Sequence, residues 1–251
     1  MKRRAFIAGA ASFCAIRANA QTPVVNATAL SGDRFTVGDD EYQLADVIAP
    51  PLYTLKKTPP AYFEAARQTL DSLLRQGVNI KEASPKSRWG VQPVIATMQA
   101  SSRTLQEILC AAGAVRVAPQ TENHDHIDRL LAAEKTTRDG RKGLWSLDSY
   151  SVYKATSANG AIGAYNIIEG TVVRAAKTRS RFYLNFGDDY RTDFTAGAVS
   201  RIYRRWAKDE FDLAALEGVR VRVRGFVEEI NGPSIDLIHP KQIELLHART
   251  A

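Results

Sequence analysis

The stretch from Ser31 to Pro51, SGDRFTVGDDEYQLADVIAPP, constrains the fold more than any other part of the chain. Gly32 and Asp33 make a turn between two apolar runs, and Gly38-Asp39-Asp40 makes a second turn. Beyond it Tyr42 and Leu44 alternate with Gln43 and Ala45, the two-residue period of a half-buried strand. Pro50 and Pro51 then stop the ladder, because proline has no amide hydrogen to donate. With Val24 to Leu30, Arg34 to Val37 and Glu41 to Ala45 as strands, the pattern predicts an antiparallel meander, the opening of a small β-barrel.

Helical spacing follows. Tyr62, Ala66, Leu70, Leu73 and Leu74 predict an amphipathic helix over Pro60 to Gln76, with proline in its first turn and Gly77 closing it. Strands are expected at Val78 to Glu82 and Val91 to Met98, around a polar turn at Ser84 to Gly90. Thr104 to Ala112 reads as a capped helix stopped by Gly113, and Ala114 to Ala118 as extended chain. A third helix opens at Asn123 or Asp125, carries Ile127, Leu130 and Leu131, and stops between Gly140 and Gly143. Ser149 to Gly163 is rich in Ser, Ala, Thr, Asn and Gly without periodicity, which predicts a linker. Strands at Ile167 to Ala175, Phe182 to Phe186, Arg191 to Phe194, Val219 to Val227, Ser234 to Ile238 and Ile243 to Leu246 surround a helical face of Val199, Ile202, Tyr203 and Trp206. That set predicts a second small barrel of the oligonucleotide/oligosaccharide-binding (OB) type.

Lys2, Arg3 and Arg4 precede the apolar run Ala5 to Ile16, and Ala18-Asn19-Ala20 supplies small residues at a cleavage site. Residues 1–20 therefore read as a signal peptide. The apolar run is far short of the ~20 residues that span a bilayer, so no membrane span is expected in the mature chain. Arg3-Arg4 followed by Phe6-Ile7 fits twin-arginine export as well as general secretion, and a periplasmic or secreted location follows. The segment carries four cations and no acid, so its removal takes the net charge from +7 to +3. A globally basic nucleic-acid binder is not indicated. Cys110, the one cysteine left, lies on an apolar helical face and is expected to be buried. The expected organisation is signal 1–20, first domain 21–148, linker 149–164 and second domain 165–248.

Strand, Gly-Asp turn, two strands ending in Ala-Pro, helix, two strands, two helices and Gly-Leu-Trp, in that order, resembles the thermonuclease family, the staphylococcal-nuclease-like fold. The residues that carry the resemblance are Gly32-Asp33, YQLADVIAP, the Trp89-Gly90 turn, LCAAGAVRV ending at Val117 and LAAEKTTRDGRKGLW ending at Trp145, over residues 24 to 146. The resemblance implies an α+β fold, a barrel with helices, and a calcium-dependent phosphodiesterase. The same residues depart from the active pattern. Where active members carry Asp-Gly-Asp-Thr, this chain has Ser31-Gly32-Asp33-Arg34, which keeps Asp33 as a metal carboxylate. Gln43 stands at the phosphate-binding arginine, Ile48 at the second metal carboxylate, Pro51 at the glutamate base and Val91 at the second arginine. Calcium takes 6–8 oxygen ligands, and phosphodiester hydrolysis needs a base and cations, so the expectation is a thermonuclease-like protein without catalysis and without a cofactor. Calcium enters only with the alternative of an active nuclease rebuilt from Asp33, Asp46, Arg34 and Arg88.

A binding role is expected from the second domain. Arg220, Arg222 and Arg224 alternate with Val219, Val221 and Val223, which places three guanidinium groups on one strand face. Lys177, Arg179 and Arg181 lead into Phe182-Tyr183-Leu184-Asn185-Phe186. Cations with aromatics on a barrel suit single-stranded nucleic acid or another anionic ligand; a solvated face offset by Glu228, Glu229 and Asp236 is the plainer reading. An envelope protein partner, in a structural or assembly role, is a further alternative. His124-Asp125-His126 reads as a helix entry rather than a metal triplet, because no other His, Cys or paired carboxylate has suitable spacing.

Overall fold

The computed structural model describes residues 22–24, 26–51, 60–208 and 211–246. The expected signal peptide lies outside the described residues, as do most of the proline-bracketed loop and the last few residues. No helix among the described residues is long and apolar enough to cross a membrane.

The first half holds β1 (Thr22–Val24), β2 (Ala27–Ala29), β3 (Arg34–Val37), β4 (Asp40–Leu44) and β5 (Val47–Ile48), then α1 (Pro60–Leu74), β6 (Val78–Glu82), β7 (Gln92–Met98), α2 (Leu105–Ala112), β8 (Arg116–Val117) and α3 (His124–Asp139). Six strands form one sheet in the order β1-β6-β7-β4-β3-β2, while β5 pairs with β8. Strands β1 and β2 lie at opposite edges of that order although Ala27 follows Val24 by three positions. Only a strongly curled, nearly closed barrel brings those edges together. Asn26, in the left-handed region at φ 57°, makes the corner, so the single strand expected from Val24 to Leu30 is two strands with different partners.

The barrel closes on side chains placed by alternation. Phe35 and Leu44 are fully buried, and along β7 Val94, Ala96 and Met98 point inward. Helix α1 covers one side with Ala66, Leu70, Leu73 and Leu74. Helix α2 is set by a capping box, in which Thr104 and Glu107 bond each other's backbone amides, and by Gly113 at φ 67°. Cys110 on its inner face is buried, as expected.

The second half holds β9 (Tyr153–Lys154), β10 (Tyr165–Thr171), β11 (Arg174–Lys177), β12 (Arg181–Asn185), β13 (Thr195–Val199), α4 (Ser200–Lys208), β14 (Arg220–Glu229), β15 (Pro233–Asp236) and β16 (Ile243–Leu245). The sheet order is β11-β12-β13-β15-β14-β10-β9, with β16 beside β14. A second core gathers Phe182, Leu184, Phe194, Trp206, Val221, Val223 and Ile235. Three expectations differ here. The segment expected as a linker contains β9 and a 3-10 stretch, Ala155–Ala161, whose Ala158 and Ala161 are buried in the second core; small residues serve as close packing there, not as flexible chain. The strand expected at Ile167 to Ala175 breaks after Thr171. The one expected at Arg191 to Phe194 belongs to the loop before β13, where Asp189 and Asp193 carboxylates accept backbone amides.

Candidate functional site

The turn that precedes β3 places Asp33 in a nearly buried position. Its carboxylate accepts the Ser31 hydroxyl at 2.7 Å and the Ala49 amide at 3.2 Å, which ties the turn to the chain leaving β5. Burial pushes the Asp33 carboxyl above the usual carboxylate range, with those two bonds opposing. Gly32 is required beside it: a Cβ there would lie 2.6 Å from Ala66 Cβ, inside helix α1. Arg34 pairs with Glu41 at 2.9 Å.

Asp46, between β4 and β5, is buried in left-handed backbone at φ 63°. Its Oδ1 accepts the amides of Gln120 and Thr121 at 2.8 and 2.9 Å, and its Oδ2 accepts the Thr121 hydroxyl at 2.6 Å. This carboxylate fastens β5 to the chain entering α3. Gln43 is half-buried on β4 opposite Arg34 and Pro93, Ile48 faces Arg116 across β5 and β8, Val91 is buried, and Pro51 is exposed. Arg88 stacks over Trp89, 4.8 Å from its ring centroid, on a turn where Trp89 is 77% exposed.

Calcium does not fit this donor set. Asp33 is buried with its oxygens engaged, Ile48 offers none, and Asp46 spends both oxygens on the α3 entry. Of the residues of the rebuilt-site alternative, Arg34 is paired with Glu41, Asp46 bonds the entry of α3, and Arg88 lies against Trp89.

The arginine strand has its expected alternation, with Val221 and Val223 in the core, but its charges are not offered to solvent as a set. Arg224 is 2% exposed and donates to Glu134 of α3 at 2.7 Å. Glu134, wholly buried, also accepts the Val117 amide at 2.6 Å and Arg138 at 3.3 Å. Arg222 bonds Glu169 at 2.7 Å and Glu244 at 3.1 Å, both directly across the ladder from it on β10 and β16. Arg220 pairs with Glu169 while staying largely exposed. Desolvating a guanidinium is tolerated only beside a carboxylate, so Arg222 and Arg224 are committed to the fold and to the junction between the halves. Signals for this existed only in residues far away in sequence. Arg181 pairs with Asp236, Lys177 lies over Tyr203 at 5.6 Å, and Arg179 is exposed.

Helix α3 is capped by Asn123, whose side chain accepts the His126 amide, not by Asp125. His124 meets His239 edge-on at 5.1 Å, and with Glu122 they are the group of His and carboxylate donors among the described residues close enough to share a metal. His239 Nδ1 accepts the Lys241 amide, so its neutral ring keeps its proton on Nε2, the nitrogen a metal would need, and Arg205 competes for Glu122 at 3.4 Å. The cluster therefore reads as a polar junction, not a metal centre.

A curled barrel of this strand order with three helices, a Gly-Asp turn beneath α1 and a closing Gly-Leu-Trp segment defines the class: a nuclease-type small barrel. Residues 41–147 match the family model for the staphylococcal nuclease homologue. Among curated proteins, none matches the chain.

Proposed function

We propose that the protein is an exported nucleic-acid-binding protein in which a staphylococcal-nuclease-type barrel serves as scaffold and does not hydrolyse phosphodiesters. The observation that carries the reading is the pair of aspartates. Asp33 and Asp46 are the carboxylates from which the sequence could rebuild a metal site, and both are engaged in internal hydrogen bonds. A phosphodiesterase of this chemistry needs a metal or cation against the charge that develops on phosphorus, and a base for water. Gln43, Ile48, Pro51 and Val91 supply neither. Each lost charge stabiliser or base is worth on the order of 10²-fold in rate, so their joint loss removes the reaction. The family whose model the first domain matches supports nucleic acid as the ligand class.

The test is incubation of the mature chain with single- and double-stranded DNA and with RNA, in calcium or in a chelator. The expected result is no cleavage above the buffer control in either condition and no change on Asp33→Ala. Calcium-dependent cleavage that disappears in Asp33→Ala overturns the reading.

A further inference from the structure

We propose that the open face of the second sheet is a groove for single-stranded nucleic acid, with bases stacked on Tyr183 and Tyr190 and a phosphate met by Arg174. The proposal rests on the binding reading above and gives it a location that none of the predicted arginine positions alone provided.

The groove follows from strand alternation. Along β12, Phe182 and Leu184 enter the core, which turns Arg181, Tyr183 and Asn185 outward. Arg174 on β11, Thr195 on β13 and Ser234 on β15 join the same face, and together they line a cavity of about 550 Å³. That size lies within the ~300–1,000 Å³ of small-ligand sites. Gly197 lies under the Tyr183 ring: a Cβ there would sit 3.1 Å from Tyr183 Cδ1, close enough to push the ring outward by a few tenths of an ångström.

Two features point to the occupant. The walls are Tyr190, on the loop before β13, and Ile230, on the turn between β14 and β15, and these large apolar side chains are 56% and 57% exposed. Apolar groups held in water on both sides of a concave face mark a binding surface. An arginine lies over each ring, Arg181 at 5.8 Å from the Tyr183 centroid and Arg191 at 5.6 Å from that of Tyr190, and Arg181 is held by Asp236, which also lines the groove. A ring that can take a base face, next to a cation that can take a phosphate, is the repeating chemistry of single-strand recognition. A duplex hides its base faces and cannot use the rings. Asn185 and Asn231, with both donors and acceptors, can meet base edges.

The experiment is fluorescence anisotropy of the mature chain with a labelled single strand of about 12 nucleotides and with its duplex, at about 50 mM salt and above. Wild type is expected to favour the single strand. Tyr190→Ala, a change at an exposed side chain, is expected to weaken binding about tenfold, the loss of one base stack. Arg174→Gln is expected to make the salt dependence shallower by about one phosphate contact, a slope change of ~0.7. Circular dichroism checks that both variants stay folded. Single-strand binding that is unchanged in Tyr190→Ala and Arg174→Gln overturns the groove and leaves the binding reading standing. Equal or better binding of duplex, or competition by polyphosphate that is the same in wild type and Tyr190→Ala, also overturns it, because simple anion attraction then accounts for the signal. If no nucleic acid binds at low salt, both the groove and the nucleic-acid reading fall.

Discussion

At the scale of single residues, charge burial decides what each side chain can do. Glu134 is wholly buried and serves Arg224, Arg138 and the Val117 amide together. Glu134→Gln should destabilise the protein by about 3–5 kcal/mol in urea unfolding, because two buried guanidinium groups are left with only Glu244, at 3.3 Å from Arg138 and 3.8 Å from Arg224, as countercharge. Removing Lys135 from its exposed pair with Asp139 on the same helix should cost under ~1 kcal/mol, which provides the control. His126 carries a second residue-scale prediction. Both ring nitrogens are buried without a partner, and burial holds its pKa below the ordinary value, with Asp46 and Glu107 pulling the other way and Arg129 reinforcing. The unfolded chain therefore binds the proton more readily than the folded one, so stability falls as pH drops from about 6.5 towards the lowered folded value. Denaturation midpoints measured across that window should show a shallower slope in His126→Phe; an unchanged slope assigns the pH dependence to another group.

At the scale of elements, Asp46 shows how a short strand is held. Strand β5 has two residues and gains little from its own ladder, so the Asp46 carboxylate, bound to Gln120 and Thr121, does much of the work of fastening it to the entry of α3. Asp46→Ala should cost about 2 kcal/mol or more, from the two buried Thr121 donors left unsatisfied and the part-buried Gln120 amide released, and amide exchange should quicken at Gln120 and Thr121 before it does in β7. Thr104→Ala, which removes the capping box of α2, should cost about 1 kcal/mol. The elements themselves were largely legible in the sequence, since the periodicities of β3, β4 and β7 and the caps of α2 are local signals. What escaped was non-local. The alternation of Arg222 and Arg224 with valine was plain, but their carboxylates stand 53 and 90 positions away at Glu169 and Glu134, and no spacing rule reaches that far. The compositional bias of 149–164 misled for the opposite reason: alanine and glycine mark both loose chain and close packing, and only the second core tells which.

At the scale of the whole molecule, the junction between the halves is polar, with a buried centre and an exposed rim. Arg224 reaches both the Val117 carbonyl and Glu134, the Tyr165 hydroxyl donates to the same carbonyl at 2.9 Å, and Lys241 pairs with Asp128 at 2.7 Å. Arg116 lies between the Tyr150 and Tyr165 rings and also contacts Asn166. Urea unfolding followed by tryptophan fluorescence and by circular dichroism should therefore coincide in one transition, whereas the fragment 21–148 should unfold at lower denaturant than the full chain. Two separate transitions in the full chain would show that the junction does not couple the halves. The shared carboxylate also bears on modularity. A nuclease-type barrel is usually thought of as a part that can be joined to many neighbours, yet here the buried Glu134 of its third helix divides its charge between Arg138 of the same helix and Arg224 of the adjoining sheet. Any chimera that cuts the chain after residue 148 takes from Glu134 the closer of its two guanidinium partners, so the two halves are a matched pair and not exchangeable cassettes.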